Sequence, residues 1–148
     1  MFDKFNQHWR NHLDQGIITK EEYINTTFAQ HYRTVEEFCA PFNDKMSEVS
    51  KAGLKLLSCS TKLTKCPYRE TYEKNIRSMS KKDFADSLIP TTRSWSETVF
   101  RTALDKRDAH ESDEIINSFY ENYRAEVERD PDGHAMDYIH VIMEIEKI

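Results

Sequence analysis

An α/β fold, reducing to α+β when residues 1–148 stand by themselves, is predicted by three features of the sequence. Apolar residues recur at spacings of three and four in several long segments, which is one face of a helix. The period changes near residues 54–63 and 138–147, where β-branched and other apolar residues read as strands. Gly and Pro are scarce, three and four residues, so most of the chain is regular structure with few linkers.

Residues 2–14 carry Phe2, Phe5, Trp9 and Leu13 on one helical face, and Gly16 ends that helix. Thr19 with Glu22 forms a capping-box pattern that opens a short helix through Tyr23 and Ile24. Thr34 with Glu37 repeats the pattern and opens a helix carrying Val35, Phe38, Phe42, Met46 and Val49. Pro41 predicts a kink or break in the turn before it. Gly53 closes this helix, and Leu54, Leu56 and Leu57 lead into a strand that Cys66-Pro67-Tyr68 terminates. The polar stretch that follows reads as a surface helix or loop.

Phe84, Leu88 and Ile89 mark the next apolar patch, and Pro90 places a helix start near Thr91, running to about Leu104. Residues 112–129 form a further helix with Ile115, Ile116, Phe119, Tyr123 and Val127 on one face. Asp113 and Glu114 lie in its first turn and Arg129 in its last, as the helix dipole favours. Asp130-Pro131-Asp132-Gly133 is a turn. The last element, residues 138–147, is apolar on both faces for its first half, the pattern of a central strand with helices on both sides. Only one other convincing strand accompanies it. Either a partner supplies the missing edge or the chain belongs to a larger sheet. Residues 1–148 therefore read as a single domain or part of one, with helical segments about 2–52 and 68–129 and strands about 54–63 and 138–147.

Composition excludes several function classes. A length of 148 residues suffices for a core, and eight Phe, seven Tyr and two Trp argue against disorder. The net charge is −5, with no basic stripe or tail, so no nucleic-acid partner is expected. No run reaches the length of a membrane span, and no membrane association is expected. The first ten residues, MFDKFNQHWR, lack a signal-peptide core, so the expected location is cytoplasmic. Cys39, Cys59 and Cys66 are odd in number and form no CxxC pair, which reads as three reduced thiols rather than a metal site.

Six blocks, in order, resemble the carboxyl-terminal half of the SABATH-type carboxyl methyltransferases, a family that methylates small acids and is best known from plants. They are HLDQGIITKEEY, TTFAQHYRTVEEF, VSKAGLKLLSC, RSWSETVF, DEIINSFYENYRAEV and YIHVIMEIEK, and together they cover nearly the whole chain. The resemblance implies the carboxyl-terminal part of a class I S-adenosylmethionine-dependent methyltransferase fold. In it, residues around 20–50 and 80–130 form a helical cap over the substrate. The closing strand is the antiparallel one inserted beside parallel strands. Carried over residue by residue, it implies that Phe2, Thr92, Trp95 and Tyr138 line a pocket for a small-molecule carboxylic acid. Three departures bear on the substrate. Trp95 replaces a smaller aliphatic residue, Thr92 replaces a common thioether, and Thr98 stands where the family has Pro.

A methyl-donor site in this fold needs a glycine-rich turn after the first strand, because backbone must approach the cofactor closely. Gly16, Gly53 and Gly133 do not follow a strand in such a loop, and no GxxxxGK[ST] motif is present. S-adenosylmethionine is therefore expected as cofactor of the complete enzyme and not of residues 1–148 alone. A homodimer, or pairing with a missing amino-terminal half, would complete the sheet. No catalytic residue is expected, since methyl transfer relies on positioning and exclusion of water more than on acid–base chemistry. Among the histidines, His140 reads as a hydrogen-bonded core residue, with general base as the sharper alternative. His110 and His134 lie in polar turns and read as solvated. Asp130, Asp132 and Asp137 lack the closing Glu of a calcium loop. Two other readings compete. One is a non-catalytic binding or regulatory protein that kept this half of the fold. The other is an unrelated α+β interaction domain, which unpaired strands at 54–63 and 138–147 would favour.

Overall fold

The computed structural model describes residues 1–148 and is a mixed α+β fold. Its elements run α1 (Phe2–Asp14), α2 (Lys20–Asn25), α3 (Val35–Asn43), α4 (Glu48–Lys51), β1 (Leu54–Thr64), α5 (Pro67–Lys74), α6 (Lys81–Ala103), α7 (Ala109–Arg129) and β2 (Tyr138–Lys147). They sort into two units. One comprises Met1–Phe28 and Cys66–Met136; the other comprises Ala29–Lys65 and Asp137–Ile148.

The first unit is helical. α6 packs along α7, α1 lies on α7, and α2 and α5 lie on α6. Along α1 the spacing of three and four buries Phe5, Trp9 and His12, while Leu13 packs against the core from its margin. Thr19 and Glu22 form the expected capping box at α2: the Glu22 amide donates to Thr19 Oγ1 at 3.2 Å and the Thr19 amide to Glu22 Oε2 at 2.6 Å. Pro67 begins α5, where its missing N–H is no loss.

α6 departs from the sequence-based expectation. It begins ten residues before Thr91 and runs unbroken through Pro90. A capping box of Ser80 and Asp83 starts it. Phe84, Leu88, Ile89, Thr92, Ser96 and Phe100 then form one continuous buried face. Burial of that face outweighs the backbone bond that Pro90 cannot donate.

The second unit holds α3, α4 and the two strands. The Thr34–Glu37 capping box opens α3 as expected. The break does not fall in the turn before Pro41. α3 continues through Pro41 to Asn43, and a separate turn, α4, follows. Ser47 caps α4 through the Ser50 amide, while its hydroxyl donates to the Pro41 carbonyl. β1 and β2 pair antiparallel, with Leu56 opposite Ile145, Cys59 opposite Met143 and Leu63 opposite Ile139. A bulge lies between Leu56 and Ser58. α3 and α4 pack on β1.

β2 is not the doubly covered central strand that its first half suggested. It belongs to a two-stranded sheet. Val141 and Met143 are half-buried, and its other residues are exposed. No residue of this second unit is fully buried, whereas the core residues all belong to the first.

Candidate functional site

The helical unit contains a cleft of about 260 Å³ walled by Phe2, Phe5, Trp9, Phe28 and Phe100, with Asn6, Tyr23, Ile24 and Thr26 at its other side. α1 supplies one wall because Phe2, Phe5 and Trp9 recur at helical spacing. The segment after α2 brings Phe28 against both α1 phenylalanines, at ring-centroid distances of 5.4 Å from Phe2 and 5.9 Å from Phe5. Phe100 enters from α6 and lies 5.4 Å from Phe28. Such edge-to-face and tilted pairs each contribute about 0.5–1.5 kcal/mol beyond their buried area.

The polar groups at the cleft are tied to one another. Tyr23 Oη donates to Asn6 Oδ1 at 2.6 Å and accepts from Arg10 at 2.9 Å. Trp9 Nε1 donates to Thr26 Oγ1 at 2.8 Å, and that hydroxyl donates to the Glu22 carbonyl at 2.9 Å. Arg107 anchors the α2 side. Its guanidinium bonds Glu22 at 2.5 and 2.8 Å and holds that carboxyl down to about 2.

Trp95 does not wall the cleft, but its ring stands 5.8 Å from Phe2, 5.9 Å from Phe5 and 6.2 Å from Phe28, three rings that do. Its indole Nε1 is buried and has no acceptor. A buried N–H without a partner costs about 1–3 kcal/mol, so this donor stands out against the paired ones around it.

The residues implied by the resemblance divide accordingly. Phe2 and Trp95 come together. Thr92 is fully buried, with its hydroxyl donating to the Leu88 carbonyl at 2.9 Å and lying 3.8 Å from Met136 Sδ. Tyr138 begins β2 in the second unit and is half exposed, its ring 6.1 Å from that of His140. Phe5, Trp9 and Phe28 were not singled out for the cleft, although the spacing of Phe2, Phe5 and Trp9 already placed them on one face.

Two histidine expectations are corrected. His140 is exposed on the polar row of β2 and is not a core residue. His134 is buried, 3.3 Å from the Tyr123 hydroxyl, because the turn after α7 folds back onto the helical core. Burial lowers the proton affinity of His134 and raises that of the Tyr123 phenol. His110 is exposed, as expected.

His12, unremarked in the sequence, is also in the core. It donates from Nδ1 to the His8 carbonyl at 2.9 Å, while Nε2 is buried without a partner. Burial lowers its proton affinity. Nearby, burial pushes Glu126 upward, but hydrogen bonds from Lys4 and His8 outweigh it and leave the carboxyl below its ordinary value. These groups sit within the packed helices and do not converge on a reacting atom.

In the second unit an open trough of about 600 Å³ runs along α3 past Glu36, Cys39 and Asp44. The Cys39 thiol is hydrogen-bonded to Cys59, which raises its pKa and makes it a poorer nucleophile. No three His, Cys, Asp or Glu side chains come together as a metal site. The three glycines do not build a nucleotide cradle. Gly16 and Gly53 follow helices, Gly133 lies in a turn, and a Cβ at Gly53 would meet the Ile148 carbonyl oxygen at 2.6 Å. No helix is long and apolar enough to cross a membrane. Compared with known proteins, the chain matches no family model and no curated protein.

Proposed function

We infer that residues 1–148 are the substrate-facing cap and last two strands of an S-adenosylmethionine-dependent methyltransferase acting on a small-molecule carboxylic acid. The donor site is formed by residues outside this stretch. The observation that carries the reading is the aromatic cleft with an unpaired indole N–H behind its wall. Ligand sites are mostly apolar concavities with a few polar groups that fix orientation. Four phenylalanines and Trp9 supply the apolar walls here, and the Trp95 ring packs behind three of those phenylalanines with its Nε1 buried and unpaired. A volume of about 260 Å³ suits a compact aryl or short acyl group.

The chemistry agrees with this division of labour. Methyl transfer needs two reactants aligned in a dry site. The cleft offers dryness and shape. Tyr23 is already paired with Asn6, and Thr26 with Trp9 and the Glu22 carbonyl, so they complete the wall without presenting a base. The antiparallel pairing of β1 with β2 also agrees, because the resemblance implies that pair at the end of the sheet.

Trp9 and Trp95 are the only tryptophans, so their emission reports on the cleft directly. Titration with benzoate and with octanoate should change the emission saturably, and Phe2→Ala and Phe28→Ala should weaken the response roughly tenfold. Calorimetric titration with S-adenosylmethionine should give only the heat of dilution. Donor binding by these residues alone would overturn the division between cap and donor site. An emission unmoved by either acid would overturn the cleft as the acid site.

A further inference from the structure

We propose that the chain forms a symmetric homodimer in which β2 of one copy pairs antiparallel with β2 of another, about a two-fold axis through Ile142. The inference rests on the strand pairing, burial and charge of the second unit and not on the methyltransferase reading, in which a strand from outside residues 1–148 would take the same edge of β2; the dimer and that arrangement exclude each other.

That unit lacks a core of its own. None of its residues is fully buried, and Leu63, Ile139, Ile142 and Ile145 are each about half exposed or more, Ile139 at 73%. A two-stranded ribbon is marginal in water, and three or more strands are needed for independent stability. The apolar row of β2, Ile139, Val141, Met143 and Ile145, faces the same side as Leu56, Cys59 and Leu63 of β1. It needs a wider sheet to be part of.

The two outer edges of the ribbon differ. β1 is defended: it carries Lys55 and Lys62 and a bulge beside Leu57, features that discourage strand addition. α3 and α4 also pack on it. β2 has no bulge, no Pro and no Lys or Arg between Tyr138 and Glu146, and no strand pairs with its other edge. Such an edge is a template for another strand.

The sequence of β2 selects a second copy of itself. In an antiparallel pair, opposite residues share a face. A two-fold axis passing between residues would set the apolar row against the polar row, so the axis must pass through a residue. Through Ile142, Ile139 faces Ile145 of the second copy and Val141 faces Met143. On the other side His140 faces Glu144 and Tyr138 faces Glu146. Each of these pairs occurs twice by symmetry. Moving the axis to Met143 would set Ile139 against Lys147 and Ile142 against Glu144. Moving it to Glu144 would oppose two like charges. Moving it to Val141 shortens the overlap and leaves Ile145 without an apolar partner. Only the axis through Ile142 keeps apolar residues opposite apolar ones and each Glu opposite His or Tyr. The product is a four-stranded antiparallel sheet in the order β1, β2, β2, β1, closed by an isologous contact.

Light scattering after size exclusion should give a dimeric mass for the wild-type chain. Glu144→Lys should raise the dimer dissociation constant roughly tenfold, because a lysine then faces His140 twice over. The double variant His140→Glu with Glu144→Lys should restore it, which a merely structural defect in the single variant would not allow. The two Ile142 Cα atoms would lie about 4.5–5.5 Å apart, inside the span of a disulfide. Ile142→Cys should therefore form an intermolecular disulfide under diamide. Tyr138→Cys, whose copies lie about 27 Å apart across the axis, should form no more than wild type. A monomeric wild-type chain, its edge left for a strand of another sequence, overturns the proposal. So does a dimer that tolerates Glu144→Lys and cross-links no better through position 142 than through 138.

Discussion

The two tryptophans show how far one buried N–H can separate residues of the same type. Trp9 has its donor paired with Thr26 and its ring in the core, whereas the donor of Trp95 is buried and unpaired. Trp9→Phe should cost about 2–4 kcal/mol, since it loses packing and leaves Thr26 short of a partner. Trp95→Phe should stay within about 1 kcal/mol of wild type, because removal of an unsatisfied donor offsets lost area. Urea denaturation of the two variants checks this, and equal losses would contradict it. His12 and His134 make a second contrast with the sequence. Both are buried, with proton affinity lowered by burial. The unfolded chain binds protons at an ordinary histidine pKa of about 6.5, and the folded chain binds them only at lower pH. Their contribution to stability is thus complete above that value and is lost as pH falls below it. The urea midpoint should drop between pH 7 and pH 5, and His12→Asn, which keeps a donor for the His8 carbonyl, should flatten that dependence. A wild-type midpoint that does not change over that range would count against it. The burial of His12 was legible after the fact, three residues beyond Trp9 on the same face. That of His134 was not, because a turn's path back over a core leaves no periodic mark.

At the level of elements, local chemistry was read well wherever it was self-contained. The capping boxes of Thr19 with Glu22 and Thr34 with Glu37 both form, since each needs only four adjacent residues. The change of period at residues 54 and 138 gave both strands, and they pair antiparallel. Proline misled twice. Pro41 predicts a kink or break and Pro90 a helix start just after it, yet each sits inside a helix. The propensity against proline is local and is outweighed in α6 by a long buried face from Phe84 to Phe100. Pro90 itself is exposed. Pro90→Ala should therefore stabilise the chain by about 1–3 kcal/mol, as it restores a backbone bond and loses little packing. Thermal and urea unfolding measure it; a destabilised variant would mean that α6 depends on the proline.

For the whole molecule, the sequence carried a mismatch that the structure resolves in one direction. A strand as apolar as residues 138–147 called for more sheet than one neighbour provides. In the structure the helical unit keeps all the fully buried core, and the unit holding β1 and β2 keeps none. The cleft belongs to the first unit and the undefended edge to the second, so acid binding and dimerisation can be tested separately. Of the four residues implied for a substrate pocket, Phe2 and Trp95 share one aromatic cluster, and its other members became visible only once Phe28 was placed against α1. The most direct test of the proposed function is a two-dimensional amide and indole NMR titration of the chain, first with benzoate and then with S-adenosylmethionine. Benzoate should shift the signals of Phe2, Phe5, Trp9 and Phe28 and the Trp95 indole N–H, and S-adenosylmethionine should shift none. Saturable shifts with the donor, or benzoate shifts that bypass the aromatic cleft, would contradict the assignment of these residues as the substrate cap.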